Sequence, residues 1–347
     1  MIYAVGMSGG VDSSVAAKLL LDAGHEVRGI NLLLTDGGGA GAERARAVAE
    51  KLGIPFSVLD FRREFREAVI EPFCSEYLCG LTPNPCVFCN MRVKFGLMLT
   101  HALDTGCDGV ATGHYANVSY NDGTGRYELF TADDDSKDQS YFLWGLTQHQ
   151  LSHTLFPLSQ YSKPRIREIA LGCGFENHAQ KDSQDICFIP DGDHAAFIEK
   201  ETGGAVPGVF VDTAGLAMGA HKGIHRYTVG QRRGLGVSGG RRLYVVSKRV
   251  DGSQIVLGDN SDLYSSFLTA RGVNFISIEK LKTPIRAAVK TRYSHNAAGA
   301  IIEPLDNDRI KVLFDSPQRA VTAGQSVVFY DGNKVVGGGF IDTFGND

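Results

Sequence analysis

Nine residues near the N-terminus constrain this chain more than any other feature: Gly6-Met7-Ser8-Gly9-Gly10-Val11-Asp12-Ser13-Ser14. They follow a short apolar run, Ile2–Val5, and open a stretch with helical apolar spacing at Val11, Val15, Ala16, Leu19 and Leu20. A glycine-rich turn between a strand and a helix lets the backbone approach a phosphate closely. The first helical turn then aims free N–H groups and the positive end of its dipole at that phosphate. Ser8, Ser13 and Ser14 add hydroxyl donors, and Asp12 is placed to help hold a Mg²⁺ ion bridging phosphate oxygens. The Gly-Lys-Ser/Thr ending of a Walker A loop is missing, so the nucleotide chemistry is of another kind.

The same alternation runs through the first 180 residues. Glu26–Leu34, Phe56–Leu59 and Gly109–Thr112 read as strands. Gly41–Leu52, a stretch reaching about Tyr77, and Met91–Leu103 read as helices. This order predicts a parallel sheet covered on both faces by helices, with ligands at the carboxyl ends of the strands. After about residue 200 helical periodicity fades. Short β-rich runs take over, among them Arg242–Val246, Gln254–Leu257, Ile310–Leu313 and Ser326–Phe329. The expected architecture is an α/β N-terminal domain over 1–200, then two small β-rich domains over 201–267 and 268–347. A length of 347 residues is too great for one small core.

Charge is unevenly spread. Residues 1–200 carry a net −9 and residues 201–347 a net +5, and the stretch 213–250 has eight basic residues and no acidic one. Arg226, Tyr227, Arg232, Arg233, Arg292 and Tyr293 mix cations with aromatics, a combination suited to RNA phosphates and unstacked bases. Tyr227 also reads as β-sheet core. The N-terminus lacks the basic and apolar regions of a signal peptide, and no apolar run approaches the roughly 18 residues of a membrane span, so a cytoplasmic location is expected.

Seven cysteines in a chain expected to be cytosolic argue against a structural disulfide framework. Two stand out. Cys89 lies in Thr82-Pro83-Asn84-Pro85-Cys86-Val87-Phe88-Cys89-Asn90, where two prolines set it beside a helix start with Arg92 and Lys94 nearby; that setting predicts a lowered thiol pKa. Cys187 lies in Lys181-Asp182-Ser183-Gln184-Asp185-Ile186-Cys187-Phe188-Ile189. Two separated cysteines of this kind suit sulfur transfer, one carrying a persulfide and the other resolving it or attacking. Cys74, Cys79, Cys107 and Cys173 are expected to be inert packing.

The run Ser8-Gly9-Gly10-Val11-Asp12-Ser13 resembles the pyrophosphate loop (PP-loop) of the ATP pyrophosphatases. That resemblance implies an adenine-nucleotide alpha-hydrolase-like fold, in which ATP is split between its α and β phosphates to adenylate an oxygen. Together with both cysteine segments, Thr112-Gly113-His114-Tyr115-Ala116, Lys137-Asp138-Gln139-Ser140-Tyr141-Phe142-Leu143, His225–Gly236 and Lys290–His295, the chain resembles the tRNA-specific 2-thiouridylases from Gly6 to about Gly339. The resemblance implies roles. Gly6, Met7, Ser8, Gly9, Gly10, Val11, Asp12 and Ser13, with Leu32 and Gly113, would hold ATP. Cys89 would be the nucleophile and Cys187 the persulfide carrier. Asn84, Pro85 and Cys86 would face the target base, while His114, Lys137, Asp138, Gln139, Arg292, Tyr293 and Gln325 would contact tRNA. Implied with these are ATP and Mg²⁺, a disulfide bond, the anticodon region of tRNA as partner, and a sulfur-donor protein, either a cysteine desulfurase or a relay.

Cys86 departs from the family, many members of which carry aspartate there. Cys86, Cys89 and Cys187 form a set of three thiols that could ligate three irons of a [4Fe–4S] cluster, so persulfide and cluster chemistry both stand at this point. A zinc site needs a fourth ligand that the sequence does not offer. Two rivals remain beside thiolation: a PP-loop ligase acting on a small molecule, and a non-catalytic RNA-binding protein.

Overall fold

A computed structural model describes residues 1–180, 186–237, 240–306 and 308–346. The Lys181–Asp185 part of the Cys187 motif lies outside the described residues. Strands β1 (Ile2–Gly6), β2 (Glu26–Leu33), β3 (Phe56–Asp60), β4 (Gly109–Ala111) and, after a hairpin of β5 (Asn117–Asn121) and β6 (Arg126–Phe130), β7 (Thr154–Leu155) supply the N-terminal region. The first sheet has the order β3-β2-β1-β4-β7, with every pairing parallel. The chain builds outward from β1 to β3, then restarts on the other side at β4. The strand order therefore reverses between β1 and β4, and a crevice opens beyond their carboxyl ends.

Helices α1 (Val11–Asp22) and α2 (Gly39–Leu52) cover one face, burying Val11, Val15, Ala16, Leu20, Val48 and Ala49 against β1 and β2. The other face packs on Phe95, Met98, Leu99 and Trp144. The helix expected over Met91–Leu103 is wound in two parts. Cys89–Leu97 has the wider i→i+5 pattern, and Met98–Asp104 is α-helical. Gln150 explains how the wider part is tolerated: its Nε2 donates to the carbonyls of Met91 and Phe95 at 2.9 and 2.8 Å, which a regular ladder would have used. Such winding recurs at functional sites.

The second sheet contains β8 (Gly208–Val211), β9 (Ala217–His221), β10 (Tyr244–Arg249) and β11 (Gln254–Gly258) in the order β10-β11-β8-β9. Tyr227 packs into its core beside Phe210, Val245 and Leu257. The third sheet contains β12 (Tyr264–Phe275), β13 (Ile285–Lys290), β14 (Ala298–Pro304), β15 (Arg309–Arg319), β16 (Ser326–Asp331) and β17 (Lys334–Gly345). Because β12 pairs with both β15 and β17, these strands close on themselves into an antiparallel barrel. The hairpin β5–β6 joins that barrel through β6 and β17, at Lys334↔Phe130 and Val335↔Leu129.

Trp144 docks the barrel on the N-terminal region. It is fully buried, donates from Nε1 to Ser326 Oγ at 3.0 Å, and meets Phe340 edge-on at 5.1 Å. Removing a buried Trp side chain costs about 3–5 kcal/mol, so this one residue secures much of the contact. Phe340 also stacks on Phe88, centroids 5.1 Å apart, which brings the barrel wall against the segment carrying Cys89.

Candidate active site

Met7–Gly10 forms the turn between β1 and α1. Gly9 is left-handed, φ +81°, and a Cβ there would lie 2.5 Å from the Gly41 carbonyl oxygen. Gly10 precedes the helix without any side-chain cap, so the first-turn N–H groups are left for a ligand. The serines brace the loop. Ser13 and Ser14 Oγ donate to the Gly10 carbonyl at 3.1 and 3.0 Å, and Ser13 Oγ accepts from the Ser8 N–H at 3.2 Å. Gly113, just past β4, comes so near that a Cβ would sit 2.7 Å from Ser13 N. Two asparagines not expected from the sequence hold the loop carbonyls. Asn31 Nδ2 donates to Met7 O at 2.7 Å, and Asn177 Nδ2 donates to Gly9 O at 3.0 Å and to Ser14 Oγ at 2.9 Å.

Asp12 meets a cation, but that cation is a lysine. The Lys163 Nζ donates to both carboxylate oxygens at 2.8 and 2.7 Å, and the Tyr115 hydroxyl donates to Oδ1 at 2.7 Å. Lys163 is 8% exposed, so the pair is shielded. Tyr115 is fixed in turn by Gln139, whose Oε1 accepts the Tyr115 N–H at 3.0 Å and whose own N–H donates to Tyr115 O at 2.8 Å. Leu32 lies near the carboxyl end of β2, half-buried between two apolar clusters.

The thiols gather around Lys94. Asn84 caps the short helix Pro85–Phe88 by accepting the Cys86 N–H at 3.2 Å, so the helix start holds Cys86 and leaves Cys89 a turn further on. Cys89 is buried, whereas Cys86 and Cys187 reach solvent. Cys187 is anchored by its neighbour Phe188, whose ring packs against Phe65, Phe73 and Phe197 at 5.7, 5.4 and 5.3 Å. The expectation of a lowered Cys89 pKa is overturned: burial pushes it up to about 12, against the opposing charge of Lys94. Although Cys86 and Cys187 reach solvent, the surrounding protein desolvates their thiols enough to raise them as well, with Lys94 again opposing. Cys89 feels the charges of both other thiols, and Cys187 that of Cys86, so the three converge on one lysine. Lys94 Nζ lies 3.5 Å from His114 Nε2, and His114 Nδ1 lies 2.7 Å from Thr112 Oγ1. Burial, with Lys94 beside it, holds the His114 pKa well below the usual imidazole range.

All seven cysteines are free thiols in this structure, which does not show the disulfide bond implied by the resemblance. Cys79 is exposed at the end of the helix Glu71–Leu78 and is not packed as expected, while Cys74 and Cys107 are buried. Among the described residues no three His, Cys, Asp or Glu side chains surround a point that could hold a metal ion, so the cluster reading finds no preassembled ligand set. No helix among the described residues is long and apolar enough to cross a membrane.

Family models described as the tRNA methyl transferase HUP domain, PRC-barrel domain and aminomethyltransferase beta-barrel domain match residues 1–191, 195–259 and 265–341. A tRNA-specific 2-thiouridylase MnmA from Clostridioides difficile (strain 630) is 49% identical over 97% of this chain and 97% of its own length. The enzyme of that name from Solibacter usitatus is 47% identical over 98% of each chain. This chain belongs to the tRNA-specific 2-thiouridylase family. Among solved structures, a U34-tRNA thiolase from Methanococcus maripaludis with a [4Fe–4S] cluster is 18% identical, covers 58% of this chain and 66% of its own, and superposes with a TM-score of 0.37.

The residues that the 2-thiouridylase resemblance assigns to tRNA occupy different settings. Tyr293 is 41% exposed, with its ring 4.6 Å from Phe142. Asp138 is buried and accepts from the N–H groups of Ala132 and Ser140. Arg292 donates from Nη2 to Val229 O, Ala320 O and Thr322 Oγ1 at 3.1, 3.0 and 2.7 Å. Gln325 Nε2 donates to Thr82 O at 2.7 Å. Lys137 is half-buried beside Tyr293. In the basic stretch, Arg232, Arg241 and Arg242 line a cavity of about 350 Å³ with Gly234, Gly236 and Leu243. Arg241 pairs with Asp259 at 2.7 Å, and Arg226 with Glu199.

Proposed function

We propose that this protein thiolates the wobble uridine of tRNA at C2 in an ATP-dependent reaction, with sulfur carried as a persulfide on Cys187. One observation carries the reading: Gly113 backs onto the phosphate loop, and the next residue, His114, contacts the lysine that serves the thiols. Activation and sulfur delivery are thus one residue apart. The loop Gly6–Ser13, with Leu32 and Gly113, takes ATP, and Asp12 would hold Mg²⁺ through the lone pair that its Oδ2 keeps beside the bond from Lys163. Bound there, the ion would neutralise phosphate charge.

The uridine C2 oxygen attacks the α-phosphorus and pyrophosphate leaves. The terminal sulfur of the Cys187 persulfide attacks C2, and AMP leaves. The Cys89 thiolate then takes the Cys187 sulfur, freeing 2-thiouridine, and a thiol reductant reopens the resulting disulfide. Lys94 offsets the cost of the Cys89 thiolate, and RNA closing over the site keeps water from the adenylated base.

In this reading residues 1–200 perform the chemistry. Residues 201–267 present Arg232, Arg241 and Arg242, and 268–347 presents Tyr293, to an RNA bent over the cleft. Asn84, Pro85 and Cys86 face the base, with His114, Lys137, Asp138, Gln139, Arg292 and Gln325 around it. A cysteine desulfurase or relay protein supplies the sulfur in the cytoplasm. A PP-loop ligase for small molecules would need neither a barrel against the thiol segment nor paired cysteines.

The test uses anaerobically purified protein with unmodified tRNA, ATP and a persulfide donor. The expected result is 2-thiouridine by nucleoside mass spectrometry, with AMP and pyrophosphate formed only when tRNA is present. Pyrophosphate release without RNA and without thiolated nucleoside would point to the small-molecule ligase instead.

A further inference from the structure

The segment carrying Asn84, Pro85, Cys86 and Cys89 is gripped at its root by both β-rich units. From the barrel, Ala323 O accepts the Thr82 N–H at 2.9 Å and Gln325 Nε2 donates to Thr82 O at 2.7 Å. Between them Gly324, φ +87°, lies flat against the root; a Cβ there would come within 2.8 Å of Thr82 N and 2.9 Å of Leu81 Cβ. From the central sheet, Lys248 Nζ donates to Leu81 O at 3.3 Å and to Tyr227 O at 3.1 Å, above the ring of Tyr77. Gly80, φ +74°, gives way to this lysine and to Val250.

Lys248 is a costly choice for such a place. It is enclosed by protein and has no carboxylate partner among the described residues, and burial pushes its pKa down to about 7. An apolar side chain of similar length would fill the space without that desolvation cost. What the amine adds is a directed bond to one particular carbonyl. Past Leu81 and Thr82, Pro83 and Pro85 fix two φ angles, so a shift at the root passes to Asn84 and Cys86 with little slack.

We propose that Lys248 and Gln325 are positioning residues: they transmit the seating of the central sheet and the barrel to the Asn84–Cys89 segment, so that nucleophile and base-facing residues take their working places only when both units are docked. The proposal rests on the thiolation reading for its kinetic arm alone. For Gln325 it adds, to the place near the RNA given in that reading, a contact with the root of the catalytic segment.

The test compares Lys248→Met, Lys248→Arg and Gln325→Leu with the unchanged protein. Hydrogen exchange is measured first and needs no substrate. Amides of 82–90 should exchange faster in Lys248→Met and Gln325→Leu, with the phosphate loop 6–14 unchanged. In the thiolation assay both variants should lose about 10- to 100-fold in kcat, the scale of a small misplacement of reacting groups, with ATP affinity within about twofold in both and tRNA affinity within about twofold in Lys248→Met. Lys248→Arg, which keeps an N–H donor at that position, should recover part of the loss. Unchanged exchange over 82–90 would overturn the proposal. So would Gln325→Leu weakening tRNA binding while leaving kcat intact, the mark of a direct RNA contact. If Lys248→Met fails to fold, Gln325→Leu decides alone.

Discussion

The phosphate loop takes its shape from consecutive residues, whereas the thiol cleft is assembled from segments far apart in the chain. In the loop, a left-handed Gly9, an uncapped helix start and two serines bonded to Gly10 O already form the turn that the proposed reading gives to phosphate. In the cleft, Cys89 and Lys94 come from one helix, Cys187 from a segment anchored by Phe188, and His114 from the loop after β4. The difference shows in the chemistry of each. The loop presents donors already aimed at an anion, at little reorganisation cost. In the cleft, burial pushes the Cys89 thiol up to about 12, against the charge of Lys94. ATP binding should therefore tolerate damage to the β-rich units, while sulfur transfer should not.

The largest effect expected from a single change falls on the loop side. Gly113→Val would drive a side chain into the Ser13 backbone, where even a Cβ sits 2.7 Å from the nitrogen. ATP affinity should fall about 100-fold or more, a factor worth about 2.8 kcal/mol, as read by equilibrium binding without tRNA. Retained affinity would show that the crevice between β1 and β4 is not the nucleotide site.

A second change separates loop shape from loop charge. Lys163→Met leaves the Asp12 carboxylate uncompensated and facing the incoming phosphates. Pyrophosphate release in the presence of tRNA should drop about 10- to 100-fold. Lys163→Arg should retain part of the rate. Combining Lys163→Met with Asp12→Asn should cost less than the two losses added, because both act through one pair.

The smallest effect sharpens the other side of the contrast. The Lys248 pKa is lowered from 10.5 to about 7 by burial, so between those values the unfolded chain binds more protons than the folded one. Stability should rise with pH across that window, by at most about 1.4 kcal/mol per unit, and flatten above it. Below about pH 7 the amine is charged in both states, and the full cost of burying the charge remains. In urea unfolding at several pH values, Lys248→Met should lack this rise; an identical slope in both proteins would place the charge elsewhere.

Much of the loop side was legible in the residues, because glycines and serines in a strand–turn–helix context have few other uses. Gly113 was also visible, at the end of an apolar run. Lys163 was not: it sits beside Pro164 at the start of a helix and looks like an ordinary surface lysine, and only the fold carries it to Asp12. Tyr115 lay inside a recognised motif, yet nothing in its neighbours marked its hydroxyl as a partner of Asp12. On the cleft side the two cysteines stood out by context, but the direction of the Cys89 pKa did not. Helix position and nearby cations are local features, while the burial that outweighs them is supplied by Phe88, Val93 and the Phe188 segment. The joining of the hairpin β5–β6 to the barrel was hidden for the same reason, since strand pairing across the chain leaves no mark in either strand alone.

The division between a preformed activating loop and an assembled sulfur-delivering cleft is tested most directly with Cys89→Ser. Given ATP, unmodified tRNA and a persulfide donor, that variant should still release pyrophosphate in a tRNA-dependent manner and should form no 2-thiouridine. Thiolation at the unchanged protein's yield, or loss of pyrophosphate release together with thiolation, would contradict it.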